Sequence, residues 1–364
     1  MRTRTRTKKF MKQLRFGFLS TANIARKKWG SICHSGNAVI TAVASREVDR
    51  ARQFIKELQA ETPFDTAPIA LGSYEELLAS KNVDAVYVPL PTGLRKEWVL
   101  RAAEAGKHVI CEKPCGLNAA DVREMISACK KNRVQFMDGV MFMHNPRLNR
   151  VRKYLDDGKS IGQIKRLMSN FSFHLAENVY DSNVRLNSVL EPAGCLGDLG
   201  WYPIRFFLWA MKWKLPREIR GKILSEFNPH KKHAAVPMDF SAELIFDDNT
   251  SANFYCSFIA QYQNWVHVSG AKGSLVIPDY VHPTSDHEPA FEMNQKEISV
   301  KCCRCRGRHS NSLESAQFTQ MIRNFARRVR SGRLNAEWPE SALKTQMVMD
   351  ACLESARKNR AVKL

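Results

Sequence analysis

The stretch RFGFLSTANIAR, Arg15–Arg26, has the residue types of a phosphate-binding turn between a strand and a helix. Such a turn needs a tight reversal, close approach of backbone to pyrophosphate, and a small residue where helix meets strand. Gly17 supplies the first small position. Ser20 and Ala22 stand where glycine is usual, yet both are small, and the Ser20 hydroxyl can donate to phosphate. Ala25 permits helix–strand contact. A helix beginning at Asn23 and Ile24 would offer unpaired N–H groups and a positive end to an anion. An ordinary strand–helix turn could have the same composition, so the position of the stretch in the chain must decide.

Ser45 and Arg46 form a second candidate pair, directly after another apolar strand. NAD sites usually place an acid here to accept from the ribose hydroxyls. None is present. A hydroxyl and a guanidinium instead suit a dianionic 2′-phosphate, and arginine can also stack on adenine. The expected cofactor is therefore NADP (NADP+/NADPH).

A third candidate is KCCRCRGRH, which places Cys302, Cys303 and Cys305 near His309. A structural zinc site needs four ligands, often as two separated pairs. The spacing here offers three good ones, so no metal is expected, and free thiols in a basic loop are the better reading. Cys111 and Cys115 bracket Glu112-Lys113-Pro114 and show no redox motif.

These residues need elements to hold them. Up to about residue 138 strands and helices alternate. Strands are expected at Leu14–Leu19, Ala38–Ser45, Val83–Pro89, His108–Cys111 and Val134–Met137. Helices are expected from Asn23, at Val48–Leu58, from Tyr74 with Ser73 as cap, at Lys96–Glu104 and at Ala119–Lys130. Short connections and continuous apolar strands imply a parallel sheet covered on both faces. The phosphate-type turn falls on its first strand. Beyond residue 138 the pattern becomes alternating: Ile164–His174, Asp239–Phe246, Ser251–Phe258, Trp265–Gly270 and Ser274–Pro278 imply a largely antiparallel sheet, with AKGS as a hairpin turn. Leu313–Val329 carries a helical apolar stripe read as core packing, and Pro339–Ala356 is a last helix. The fold class is thus α/β followed by α+β.

A chain of 364 residues exceeds the usual single core, so two domains are expected. The net charge is +20, with seven basic residues and no acid up to Arg15. Basic charge permits an anionic partner. There is no basic stripe interleaved with aromatics, so nucleic acid is not an expected partner. No run of about 18 apolar residues occurs, so no membrane span is expected. The N-terminus lacks an apolar core of the signal-peptide kind, and a cytoplasmic location with reduced thiols is expected.

The motifs RFGFLSTANIAR, VASR, VYVPLPTGL, GKHVICEKP, MDGVMFMHNP, GCLGDLGWYPIR, GAKGSL and WPESALKTQ follow one another in an order that resembles the glucose–fructose oxidoreductase / inositol dehydrogenase family. The likeness is nearest the branch with dimeric dihydrodiol dehydrogenase and NADP-linked xylose dehydrogenases. It spans roughly Leu14 to Leu353. It implies a flexible basic arm at 1–13 and an NADP-binding Rossmann domain at 14–138. A substrate-binding and oligomerisation sheet domain would cover 139–337, with a C-terminal helix at 338–364 packing back on the first domain. By the resemblance, Lys113 lies beside nicotinamide and substrate, and Asp198 and Tyr202 are the acid and tyrosine of a D-x-x-x-[HY] element. Glu112 and Pro114 share the lysine's motif, the proline as a candidate cis residue. Pro89, Pro91 and Thr92 belong to the loop against the nicotinamide mononucleotide half. His144 is a further candidate at the substrate. Departures at Asp138, Met143 and Arg95 bear on substrate identity rather than on redox chemistry.

The implied chemistry is hydride transfer between nicotinamide and a secondary alcohol or carbonyl of a sugar, polyol or cyclic diol. A tyrosine can accept the hydroxyl proton if a neighbouring ammonium lowers its pKa, and Lys113 would be that neighbour of Tyr202. Asp198 would orient substrate hydroxyls or Lys113. A homodimer or higher oligomer joined through the open sheet is expected. Two rival readings are a non-catalytic NADP sensor, against which the retained Lys113, Asp198 and Tyr202 argue, and a basic nucleic-acid-binding protein.

Overall fold

A computed structural model describes residues 13–228, 234–283, 290–295, 298–304 and 316–364. The first part alternates strands and helices: β1 (Leu14–Leu19), α1 (Asn23–Cys33), β2 (Ala38–Ala44), α2 (Val48–Glu61), β3 (Ile69–Leu71), α3 (Tyr74–Ala79), β4 (Ala85–Val88), α4 (Thr92–Glu104), β5 (His108–Cys111), α5 (Ala119–Lys131) and β6 (Phe136–Asp138). The six strands are parallel in the order β3-β2-β1-β4-β5-β6. The order reverses between β1 and β4, which opens a crevice at the carboxyl ends of the central strands. Strand β4, AVYV, is buried throughout, as expected of a strand with helices on both faces. Ser73 caps α3 by accepting from the Glu76 amide, 3.1 Å, as its spacing suggested.

The second part begins with a 3₁₀ turn (Met141–His144) and α6 (Arg147–Asp156), followed by β7 (Ile164–Ser172). A wide π-type turn (Leu196–Gly200) then runs directly into α7 (Trp201–Ala210). The remaining elements are β8 (Glu218–Phe227), β9 (Val236–Ile245), β10 (Ser251–Ser257), β11 (Gln263–Gly270), β12 (Gly273–Ile277), β13 (Ala290–Gln295), β14 (Ile298–Arg304), α8 (Gln317–Arg330), α9 (Glu337–Lys358) and β15 (Val362–Lys363). They form a nine-stranded sheet in the order β14-β13-β12-β11-β7-β10-β9-β8-β15, antiparallel except between β7 and β10. The AKGS segment does join β11 to β12 as a hairpin.

One face of this sheet packs inward through Phe240, Phe254, Val266 and Val268, all buried. The opposite face carries Met168, Asn170, Tyr255, Trp265 and His267, all partly exposed. Its aromatic residues are therefore Tyr and Trp. The sheet residues Phe240 and Phe254 belong to the core.

Helix α9 does more than return to the first domain. It lies against α5 and β6 on one side and against α7 and β8 on the other. Asp350 accepts from the Ala119 amide, Thr345 Oγ1 accepts from Arg205, and Ser355 Oγ accepts from the Gly221 amide. At Gly221 the two backbones touch: a Cβ there would stand 2.2 Å from the Cys352 carbonyl oxygen. Cys302 and Cys303 lie on β14, while Cys305, His309 and the arm at 1–12 fall outside the described residues. Among the described residues no helix is long and apolar enough to cross a membrane.

Candidate active site

The β1–α1 turn is built around Ser20, whose φ is +122°, a conformation glycine adopts far more easily. Its Oγ accepts from the Ala22 amide at 3.1 Å, which holds the turn in place of a glycine. Helix α1 has no side-chain cap and no acid in its first turn, so its first N–H groups and positive end face the crevice. Ala22, Asn23, Ile24 and Lys27 line that opening. Gly17 does not. It is buried within β1, and a Cβ on it would meet Leu77 Cδ2 at 2.6 Å and Val83 Cγ1 at 3.0 Å. The glycine thus makes room for α3 rather than for a phosphate, which corrects its assignment as a cofactor contact.

Ser45 and Arg46 stand at the end of β2, outside the main cavity; Ser45 is buried and Arg46 exposed. Thr92 opens α4, but its polar groups are already engaged. Its amide and hydroxyl both donate to Glu191, at 2.9 and 2.6 Å, and it accepts from Arg95. Glu191, from the second part of the chain, therefore caps α4 across the cleft. Arg95 is buried, and its guanidinium also donates to the carbonyls of Leu90 and Pro114.

The cavity between the two parts measures about 690 Å³ and holds Pro89, Pro91, Glu112, Lys113, Asp198 and Tyr202 together. The Lys113–Pro114 peptide is cis. Lys113 Nζ donates to Asp198 Oδ1 at 2.5 Å and to the Asp198 carbonyl at 2.6 Å. An ammonium has three donors, so one is left for a ligand. The other carboxylate oxygen, Oδ2, accepts from Arg185 Nε at 2.7 Å. Lys113 and Arg185 together hold the Asp198 carboxyl far below the usual carboxylate range, against the opposing effect of burial. Asp198 is accordingly a fixed anion and not a proton carrier.

Tyr202 differs from the expectation of a readily formed tyrosinate. Lys113 Nζ lies over its ring, 4.9 Å from the centroid, instead of beside its oxygen. Burial first, and then the negative charges of Glu112 and Asp198, push the Tyr202 pKa well above its ordinary value. The phenol is protonated at neutral pH. Among the described residues its hydroxyl has one weak neighbour, Met141 Sδ at 4.0 Å, and the residue lines the cavity.

Beneath the cluster, Glu112 accepts from Tyr87 OH at 2.6 Å and pairs with buried Lys28 at 3.4 Å. Phe318 packs on Lys28 from α8, with Nζ 4.0 Å from the ring centroid, so one residue within the Leu313–Val329 stripe expected in the core is a cleft residue. His144 does not reach this cavity. It turns to the other side of its short helix, where Asn324 lies 3.2 Å from Nδ1. Sequence reasoning also missed Arg185, Glu191, Tyr262 and His282, which lie in segments with no periodic pattern; Arg185 alone had a signal, as a charged residue in a chain segment leading to Asp198.

A dinucleotide-type turn facing a lysine, a fixed carboxylate and a protonated tyrosine across an interdomain cavity is the arrangement of a nicotinamide-dependent oxidoreductase. The comparisons agree. Residues 14–140 match the model for an oxidoreductase family with an NAD-binding Rossmann fold, and residues 148–276 and 224–364 match C-terminal domain models of the same family. The trans-1,2-dihydrobenzene-1,2-diol dehydrogenase of Mus musculus is 30% identical over 275 residues, 74% of this chain and 76% of that protein. The D-xylose 1-dehydrogenase (NADP(+)) 2 of Haloferax volcanii is 28% identical, covering 96% and 99%. A solved 3-ketoreductase from Actinomadura kijaniata, held with NADP and TDP-benzene, superimposes with a TM-score of 0.80 at 25% identity, covering 94% and 98%. The chain belongs to the glucose–fructose oxidoreductase / inositol dehydrogenase / MocA family and is an oxidoreductase.

The carboxylate's position yields a pH prediction. A depressed folded pKa contributes stability that is fully present above the unfolded value of about 3.9 and is lost as pH falls through the folded one. Asp198→Asn leaves Lys113 and half-exposed Arg185 facing each other without an anion. Its destabilisation should be roughly 1–3 kcal/mol at neutral pH, below the cost of breaking a fully buried pair. Urea titrations should show a constant gap between variant and wild type down to about pH 4, shrinking below it as the carboxyl of the unfolded wild-type chain protonates while the folded one stays ionised.

Proposed function

We propose that the protein is an NADP-dependent oxidoreductase that moves hydride between nicotinamide and a secondary alcohol or carbonyl carbon of a sugar or cyclic diol. The observation that carries this reading is Tyr202, which lines the cavity with Lys113 and whose protonated hydroxyl has no strong partner among the described residues. The residues fit the cofactor: the uncapped end of α1 and Ser20 would receive the diphosphate, and Arg46, directly after Ser45 at the end of β2, would receive the 2′-phosphate. Pro89, Pro91, Glu112 and Lys113 bound the nicotinamide end. When bound, the cofactor supplies or takes up the hydride.

The chain's own residues handle the proton and the charge. In carbonyl reduction the free donor of Lys113 polarises the substrate oxygen, and Tyr202 OH delivers a proton to it. The phenol's raised pKa makes this the form ready at neutral pH. Alcohol oxidation uses the same path in reverse, with the substrate proton passing to Tyr202. Asp198 aims Lys113, and Arg185, which lines the cavity, has N–H groups beyond the one given to Asp198 that suit the hydroxyls of a polyol. The aromatic wall of Phe171, Phe173 and Tyr262 suits the apolar face of a ring. The names of the relatives, which include a xylose dehydrogenase and a dihydrodiol dehydrogenase, support the same substrate class.

A homodimer through the open face of the nine-stranded sheet accompanies this reading. Asn170 Oδ1 and His267 Nε2 on that face are both sequestered from solvent and unpartnered among the described residues, beside Trp265 and Tyr255. Light scattering over a range of concentrations should give twice the chain mass of 41.5 kDa; the chain mass at every concentration would count against the interface.

Tyr202→Phe should keep the fold and NADP binding while lowering kcat by roughly 10²–10⁴. Lys113→Met should act in the same direction, and the losses in the double variant should fall short of their product. Steady-state rates on a panel of aldoses, polyols and dihydrodiols, with cofactor affinity measured separately, check this. Full turnover by Tyr202→Phe removes the hydroxyl from the mechanism. Arg46→Ala should weaken NADP by about 1–3 kcal/mol and leave NAD nearly unchanged. Fluorescence titration with both cofactors reads the difference, and equal wild-type affinities would sink the 2′-phosphate assignment.

A further inference from the structure

The 3₁₀ turn after β6 is a partition. Gly139 and Met141 face the catalytic cavity, whereas Val140, Met143 and His144 face a second cavity of about 440 Å³. This second space is bordered by Met137 and Asp138 of β6, Arg205 of α7, Trp213, the end of α8 and the start of α9, and opens to solvent on the side of Arg327. Its size is that of a small-molecule site.

Its charges do not cancel. Arg205 is buried and satisfied by Asp138, with Nη2 2.5 Å from Oδ2. Arg327 and Arg328 at the end of α8 also line the space, and neither has a carboxylate within ion-pair distance among the described residues. Glu337 is the one other lining acid, so a positive excess remains. His144 adds no charge at neutral pH, because burial and then Arg205 push its pKa down to about 4. Asn324 donates to His144 Nδ1, which leaves the ring proton on Nε2 as a further donor.

The walls are also aromatic. Trp338 is stacked on Phe325 with ring centroids 6.3 Å apart and an interplanar angle of 21°, and it contacts the His144 ring edge to face. Trp213 supplies a second indole, with the Arg205 guanidinium 6.0 Å from its centroid. Unpaired guanidinium groups beside flat rings select a flat ligand that carries negative charge.

We propose that this cavity is a binding site for a small planar organic anion, separate from the catalytic cleft and divided from it only by residues 139–144. Benzoate is the probe, benzamide its neutral counterpart and inorganic phosphate an anion without a ring, each titrated calorimetrically into the full chain. Benzoate should bind saturably, at least roughly tenfold tighter than either control, as loss of one charge-assisted contact implies. The Arg327→Ala/Arg328→Ala double variant should lose roughly tenfold or more in benzoate affinity. Arg185→Ala, which alters the other cavity, should leave benzoate binding unchanged. Absence of saturable binding, equal binding of benzamide, or affinity lost with Arg185→Ala but retained without Arg327 and Arg328 would each overturn the assignment.

Discussion

The Asp198 carboxylate is where the parts of the molecule meet. One oxygen holds Lys113 from the turn after β5, and the other holds Arg185 from the long segment before the π-type turn. Its own backbone carbonyl takes a second donor from Lys113. An anion so enclosed by cations stays ionised through any physiological pH, and its directionality fixes where the lysine points. That position in turn sets the ammonium over the Tyr202 ring and leaves the phenol oxygen free. Without the carboxylate, two cations would confront each other at the mouth of the cavity.

The cluster also shows how burial and pairing divide labour. Asp198 and Tyr202 are four residues apart and share one cavity, yet their acidities move in opposite directions. Two hydrogen-bonded cations outweigh burial at the carboxyl. At the phenol, burial acts with two nearby anions, and the lysine charge sits over the ring where it does little for the oxygen. The family resemblance brought these two residues together as candidates; only their surroundings determined which one can exchange a proton.

Much of this was legible in the chain. The parallel sheet, its first turn and the lysine after β5 announced themselves through continuous apolar strands and short connections. What escaped had weak or masked periodicity. β3 is three residues long and half exposed. α6, RLNRVRKYLD, hides Leu148, Val151 and Leu155 among four basic residues. β8 presents charged side chains outward and breaks its pattern at Gly221, which is needed for contact with α9. Gly17 and His144 were misread for a common reason: residue type suggested chemistry, while the side of the element they occupy was set by packing against α3 and α8. Glu191 acts across the cleft, and a partner 99 residues away leaves no local trace.

Two helix N-termini, those of α1 and α4, open toward the carboxyl ends of the central strands. That of α4 is plugged by Glu191, whose oxygens take both the amide and the hydroxyl of Thr92. That of α1 has no such occupant among the described residues. An anion entering the crevice therefore meets one accepting dipole and one already neutralised. The crevice is thus asymmetric: of its two helix ends, that of α1 is the one left to attract a diphosphate.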